Sequence, residues 1–116
     1  MVEIGIAGDI FTAIVLETPS TAAYLKRGVT IDIIFKETEV SIAKNLSGLI
    51  SLSNRFNARV KKIEKHELLT TVVLDYKATA ISSIIATRST IRLDLKEGDE
   101  VQWLVKTNEV SLCPMT

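Results

Sequence analysis

One segment of this 116-residue chain occurs twice, and that repetition limits what the chain can fold into. "LKRGVTIDIIFKETEVSIA", residues 25–43, is answered seventy residues later by "LKEGDEVQWLVKTNEVSLC", residues 95–113. Leu25, Lys26, Gly28, Lys36, Glu39, Val40 and Ser41 recur without a gap as Leu95, Lys96, Gly98, Lys106, Glu109, Val110 and Ser111. Val2 with Val72 and Ile14 with Ile84 extend the match, and apolar character agrees at Ile31 with Val101 and Phe35 with Val105. Such self-similarity marks a duplicated supersecondary unit. Residue 1 aligns with residue 71, so the first copy begins inside the unit and has no counterpart of the segment 51–64. The chain therefore divides into a first repeat, 1–43, a join, 44–50, and a second, complete repeat, 51–116. The absent opening strand implies either a longer parent protein or a strand from another chain, because an unpaired sheet edge is a liability.

The second copy shows what one unit contains. In "SLSNRFNARVKKIEK" Phe56, Ala58 and Val60 alternate with Arg55, Asn57, Arg59 and Lys61, the period of a half-buried strand with a basic outer face. "ELLTTVVLDY" is a β-branched strand after a turn at "KHE", and "ATAISSIIA" is a third. "TRSTIRLDLKEG" predicts one or two helical turns, with Ser/Thr capping at the front and Gly98 ending them. The first copy places "TPSTAAYLKRG" here, with Pro19 at a favoured first helical position. "DEVQWLVK" and "EVSLC" are the last strands, separated by a turn at Thr107-Asn108. Five strands and one short helix per unit fit a small all-β Greek-key barrel of the oligonucleotide/oligosaccharide-binding (OB) type. The spacing also permits a small sandwich.

Charge narrows the function. Fourteen basic residues balance fourteen acidic ones, so no global field favours nucleic acid or membrane. The balance is uneven: residues 1–43 carry three positive and six negative side chains, and residues 44–116 carry eleven and eight, so an anion belongs with the second half. The single cysteine, Cys113, forms no internal disulfide, as in a reducing cytoplasm. The start "MVEIGIAGDIFTAIVLETPS" lacks the basic region of a secretory signal, and no apolar run reaches the length of a membrane span.

"NARVKKIEK", "VVLD" and "LKEGDEVQWLVKTNEVSL" together resemble the Mop domain, the molybdate-binding member of the TOBE group. That family opens with Ser-Ala-Arg-Asn and closes with Leu-Lys-x-Gly-Asp-x-Val followed by Lys-Ala-Ser/Thr-x-Val. The resemblance covers the chain as a tandem pair, less the opening strand of the first copy. It implies tandem OB-like Greek-key barrels, each with one short helix, which pair and exchange strands and hold oxyanions between units. It further implies a cytoplasmic homo-oligomer, dimer or trimer, that binds molybdate or tungstate for storage or sensing, without an organic cofactor. The alternative it implies is a non-binding oligomerisation module of a molybdate transporter ATPase or of a DNA-binding regulator, as part of a longer parent chain.

Molybdate and tungstate are dianions without protons at neutral pH, so their site needs donors alone: amides, hydroxyls and one or two cations. The resemblance puts the family's opening serine on Ser51, its arginine on Ser53 and its asparagine on Asn54, so "SLSN" lacks the charged donor of the family motif. Arg55, next along, points to the opposite face of a strand from Asn54. The family's lysine falls on Lys106 with Thr107 after it, and on Lys36 in the first copy, followed by Glu37 and Thr38. Glu37 would repel an oxyanion if it faced the site. Thr87 and Ser89, and Ser20 with Thr18 in the first copy, sit where the short helix begins, as caps or as anion donors. The expected ligand set is therefore Ser51, Ser53, Asn54, Thr87, Ser89, Lys106 and Thr107, with Ser20, Lys36 and Thr38 in the first copy.

Other motifs read as structural. Arg55, Arg59, Lys61, Lys62 and Lys65 form a basic cluster, but a single-strand site interleaves aromatics for stacking, and Phe56 has the parity of the buried face. His66 is a turn residue without the partners of a metal site, Trp103 is a packed residue between Val101 and Val105, and "GIAGD" is no phosphate loop. No nucleophile–base set is present, and the expectation is a binding protein rather than an enzyme.

Overall fold

The computed structural model describes residues 2–6, 8–13 and 31–114. The first repeat contributes β1 (Val2–Ile6), β2 (Asp9–Ala13), β3 (Ile31–Ile34) and β4 (Ser41–Ala43). The second contributes β5 (Asn54–Lys65), β6 (Leu69–Tyr76), β7 (Thr79–Ala86), α1 (Thr87–Arg92), β8 (Glu100–Val105) and β9 (Ser111–Pro114). The first copy's helix falls on residues outside those described.

The strand order β4-β8-β5-β6-β7 makes one five-stranded antiparallel sheet; β1-β2 and β3-β9 are separate pairs. The long β5 serves two partners. Asn54 to Arg59 pair with β8, and Arg59 to Lys65 pair with β6, with a register shift between Val60 and Lys62. A bulge of this kind bends a strand and lets a sheet curl. Val60 N–H donates to Asp99 O at 2.9 Å and Gly98 N–H donates to Val60 O at 2.7 Å, which fixes the bend. The curl brings the two edges together: β4 contacts β7, and the Ser83 hydroxyl donates to Val40 O at 2.6 Å. The result is the small OB-like barrel expected from the sequence.

The closing strands are exchanged between repeats. β4, from the first copy, pairs with β8 of the second through Ser41↔Leu104, Ile42↔Trp103 and Ala43↔Gln102. β9, from the second copy, pairs with β3 of the first through Ser111↔Ile34, Leu112↔Ile33 and Cys113↔Asp32. Adding seventy to each residue of the β4 strand, and subtracting seventy from each of the β8 strand, turns one set into the other. The hairpins obey the same rule, since Val2↔Ala13 and Ile6↔Asp9 become Val72↔Ser83 and Tyr76↔Thr79.

The core is shared as well. Phe11, fully buried, stacks on Phe35 and Phe56 at centroid distances of 6.1 and 5.6 Å, and Trp103 meets Phe56 at 4.9 Å and Tyr76 at 5.2 Å. Two of these rings come from the first repeat and three from the second, so neither repeat owns the core. Each buried aromatic contributes roughly 1.5–3 kcal/mol by transfer, with offset and edge contacts adding to it. Trp103 Nε1 is buried without a hydrogen-bond partner among the described residues, a local cost set against that packing.

Polar links across the repeats reinforce the core. The Tyr76 hydroxyl donates to Asp9 Oδ2 at 2.5 Å, and Lys77 Nζ lies 3.1 Å from the same oxygen. Both interactions hold the Asp9 carboxyl below its ordinary range, while desolvation and then Asp9 push the Tyr76 hydroxyl up. In the join, Lys44 Nζ donates to Asp94 O at 2.7 Å and pairs with Asp99 Oδ2 at 3.0 Å, and this ammonium, then the Lys96 N–H, lowers the Asp99 carboxyl.

Two sequence expectations about α1 are corrected. Its N-cap is Ala86, not Ser89 or Thr87, because the Thr87 hydroxyl donates to His66 O at 2.7 Å and accepts from Thr70. Its end is set by Asp94, at φ 50, rather than by Gly98: Asp94 N–H bonds Ile91 O and Leu95 N–H bonds Thr90 O, the pair of a Schellman motif. Gly98, at φ 90, instead turns the chain onto β5. The turn at Thr107-Asn108 is a 3-10 turn over Thr107–Glu109.

Two outcomes follow for stability. The β6–β7 turn holds Lys77 at φ 47 and Ala78 at φ 68, where glycine is favoured and Gly8 stands in the first copy. Ala78→Gly is expected to raise the unfolding free energy by about 0.5–1 kcal/mol in denaturant titration, since relief of a left-handed alanine exceeds the added chain entropy. Asp9 and Asp99 both have folded pKa values below the ordinary 3.8, so their contribution is complete above pH 3.8 and is lost as pH falls through the lower folded values. Melting temperature should fall on acidification below that point, and less steeply in Asp9→Asn/Asp99→Asn.

Candidate functional site

The twice-used lysine takes the same backbone conformation in both copies. Lys36 has φ −83 and ψ 148, Lys106 has φ −69 and ψ 145, and each precedes a 3-10 turn, Glu37–Glu39 and Thr107–Glu109. Glu39 N–H donates to Lys36 O at 2.9 Å and Glu109 N–H donates to Lys106 O at 3.1 Å. Both lysine side chains are exposed. The turns face the other repeat: the second lysine turn packs on β2 and the first packs on β7. Under the seventy-residue shift β2 becomes the first part of β7, so these are two versions of one inter-repeat junction.

The second turn has more around it. Asn54, fully buried at the start of β5, is opposite Val105, the residue before Lys106. Its carboxamide pairs with both backbone groups of one residue of β2: Thr12 N–H donates to Asn54 Oδ1 at 2.7 Å, and Asn54 Nδ2 donates to Thr12 O at 2.6 Å. Asn54 therefore acts as a side-chain extension of the sheet that ties β5 to the first repeat. Ser53, exposed, immediately precedes Asn54 as Lys106 immediately follows its partner Val105, and Ser51 is exposed as well. Ser53, Lys106 and Thr107 are brought to one end of β5 and β8, next to Thr12.

The first turn lacks the β5 equivalent. Lys36, Glu37 and Thr38 are exposed there, and Glu39 Oε1 accepts from the Lys36 N–H at 3.1 Å, so one backbone donor is already used. Thr87 is buried with its hydroxyl committed to His66, and Ser89 is half-buried on α1, which packs on β6 and β7. Ser20 lies outside the described residues.

The basic strand face is largely neutralised. Arg55 donates to Gln102 Oε1 at 3.0 Å and to Gly48 O at 3.1 Å, which pins the join to the sheet. Arg59 pairs with Glu100 at 3.0 Å and Lys62 with Glu64 at 2.7 Å. Phe11, Phe35, Phe56, Tyr76 and Trp103 all point into the core, so no described aromatic is left as a stacking platform beside this cluster.

A cleft of about 650 Å³ opens elsewhere, between the join at Asn45 and Leu46 and the strand residues Asn57, Arg59, Asp75, Glu100 and Gln102. Sequence reasoning missed it because the join supplies one wall and carries no motif. Two carboxylates line it and its guanidinium is already paired, which makes it unsuited to a dianion. Among the described residues no cluster of histidine, cysteine or carboxylate side chains fits a metal ion, and no helix is long and apolar enough to cross a membrane.

Comparison with known proteins accords with this geometry. The chain superposes on the cytoplasmic molybdate-binding protein ModG, crystallised with molybdate bound, with a TM-score of 0.85 and 26% identity over 93% of this chain and 78% of that one. A molybdate-binding protein from Sporomusa ovata is 41% identical over 51% of this chain and 88% of its own, with a TM-score of 0.50. No curated protein matches the sequence. The model of the TOBE domain matches residues 50–112, more than half of the chain. With its duplicated unit, OB-like barrel and matching closing motif, the chain belongs to the TOBE domain family.

Proposed function

We propose that this chain binds molybdate or tungstate at the junctions between its repeats, as a cytoplasmic store or sensor of the oxyanion and not as an enzyme. The observation that carries the reading is the repeated lysine turn, set in the same conformation in both copies and packed each time against a strand of the other repeat. ModG, with molybdate bound, supports it at 26% identity over nearly the whole chain.

In the second junction Lys106 supplies the cation, Thr107 and Ser53 supply hydroxyls, and Ser51 stands at the approach. Asn54 is a positioning residue whose carboxamide fixes the start of β5 against Thr12. Lys36 and Thr38 are the first-junction donors, with Ser20 assigned by sequence alone. Thr87 drops to a structural role because its hydroxyl is spent on His66, and Ser89 belongs to the same helix. An anion held between repeats stabilises the exchanged arrangement by mass action, and a regulator or homo-oligomer would use that linkage.

A second reading, an assembly module of a longer transporter ATPase or regulator without its own ligand, is favoured by two features. Ser53 stands where the family carries arginine, and Glu39 occupies the Lys36 N–H.

Calorimetric titration with molybdate, tungstate, sulfate and phosphate separates the two. The oxyanion reading predicts micromolar binding of the first two, and at a hundredfold excess over the dissociation constant about 2.7 kcal/mol of added stability. Lys106→Ala should weaken binding at least about tenfold by removing a charge-assisted bond. Absence of response to all four anions would leave the assembly reading.

A further inference from the structure

The complete copy carries a surface feature that the oxyanion reading leaves unused. Leu68, Leu69 and Ile91 are 78%, 54% and 63% exposed. Leu68 and Leu69 stand where the chain turns from β5 into β6, and Ile91 is on α1. Turn and helix are fastened together. His66 N–H donates to Leu69 O at 3.0 Å, Thr87 N–H donates to Leu68 O at 2.9 Å, and the Thr87 hydroxyl donates to His66 O at 2.7 Å. Thr70 and Thr87, both buried, share a further hydrogen bond of 2.9 Å. The apolar side chains are thus held in the open on an ordered base at one end of the barrel.

Cations surround them. Lys65 precedes His66, Arg88 follows Thr87 and Arg92 follows Ile91. All three are exposed, and none is in an ion pair among the described residues. Glu67 is the acid of the turn, and Glu64 is paired with Lys62. The chain as a whole is neutral, so this end is basic against the rest. The fold does not require such a composition: seventy residues earlier Thr18, Thr21 and Ala22 stand for Arg88, Ile91 and Arg92. The feature also belongs to the copy that has its full set of strands, so no absent part of the repeat would cover it.

We propose that this end of the barrel docks reversibly on an anionic lipid surface. Leu68, Leu69 and Ile91 enter the headgroup boundary, and Lys65, Arg88 and Arg92 meet the anionic headgroups. Apolar side chains ringed by long cations gain from both terms at such a surface, and the two together hold a protein there without a membrane span. Shape and charge favour a bilayer over a protein partner. The side chains project from a hairpin tip, and none of them lines the cleft. A two-fold dimer through this end would set the cations of one copy against those of the other. The aliphatic set also lacks the tryptophan or tyrosine anchors that dominate protein interfaces. The dock is separate from the oxyanion junction, because Asn54 and Val105, next to Lys106, are at the start of β5 and Lys65 is at its end.

The test is flotation of the full chain with vesicles of phosphatidylcholine alone and of an equal mixture of phosphatidylcholine and phosphatidylglycerol. The chain should float with the mixture and not with phosphatidylcholine. Arg88→Gln/Arg92→Gln should weaken partitioning by about twenty-fivefold, about fivefold for each cation. Leu68→Ser/Ile91→Ser should weaken it by at least about tenfold. Both variants should melt with the unaltered chain, since the replaced side chains are exposed, and Lys106→Ala should partition unchanged. In hydrogen exchange the mixed vesicles should slow residues 65–69 and 87–92. The proposal is overturned if the chain floats with neither vesicle, if either double variant partitions as the unaltered chain does, or if Lys106→Ala weakens partitioning as much as an arginine change. It is equally overturned if residues 65–69 and 87–92 are already protected without vesicles, because a second copy or another part of the protein then covers them.

Discussion

Backbone pairing across the repeats is the constraint on which the rest depends. β4 and β9 are three- and four-residue strands, too short to stand alone, and among the described residues each gains its ladder from a strand of the other copy. That exchange forces the chain between β3 and β4, and between β8 and β9, to cross from one repeat to the other. The crossings are the lysine turns. Their shared dihedrals, and their packing on β2 and β7, accord with that topology. An anion bound there would use a junction that the fold already has to build.

Electrostatics then separates the cleft from the lysine turn. A dianion cannot use acceptors, and the cleft offers Asp75 and Glu100 with Arg59 already paired. The lysine turn at Lys106 offers a cation and hydroxyls, with Glu109 at its far end, and the Asn54 carboxamide is turned inward to Thr12. The cleft lining carries two carboxylates against one guanidinium, whereas the turn adds the Lys106 ammonium. For an ion with no hydrophobic surface, charge decides.

The sequence made much of this legible, and its failures have physical causes. Period-two alternation placed Phe56, Val60 and Trp103 inside and Arg55 on the face opposite Asn54. The cap of α1 was misplaced because a threonine hydroxyl can serve a distant carbonyl as readily as its own helix, and His66 O captured Thr87. The helix end was misplaced because Asp94 adopts the left-handed conformation that glycine usually supplies. Strand exchange was not readable from the residues themselves: β4 offers the same apolar pattern to β3 as to β8, and a repeat cannot say which copy its own last strand joins. Asn54 looked like a ligand donor because its partner, Thr12, lies 42 residues away in the other repeat.

The central claim is that an oxyanion sits where the exchanged repeats meet. Anomalous diffraction from crystals of the chain grown with tungstate locates the metal directly. The account predicts a peak beside Lys106 and Thr107, within reach of Ser53 and next to Thr12. A peak in the cleft at Arg59, or no peak at full tungstate saturation of the crystal, would contradict it.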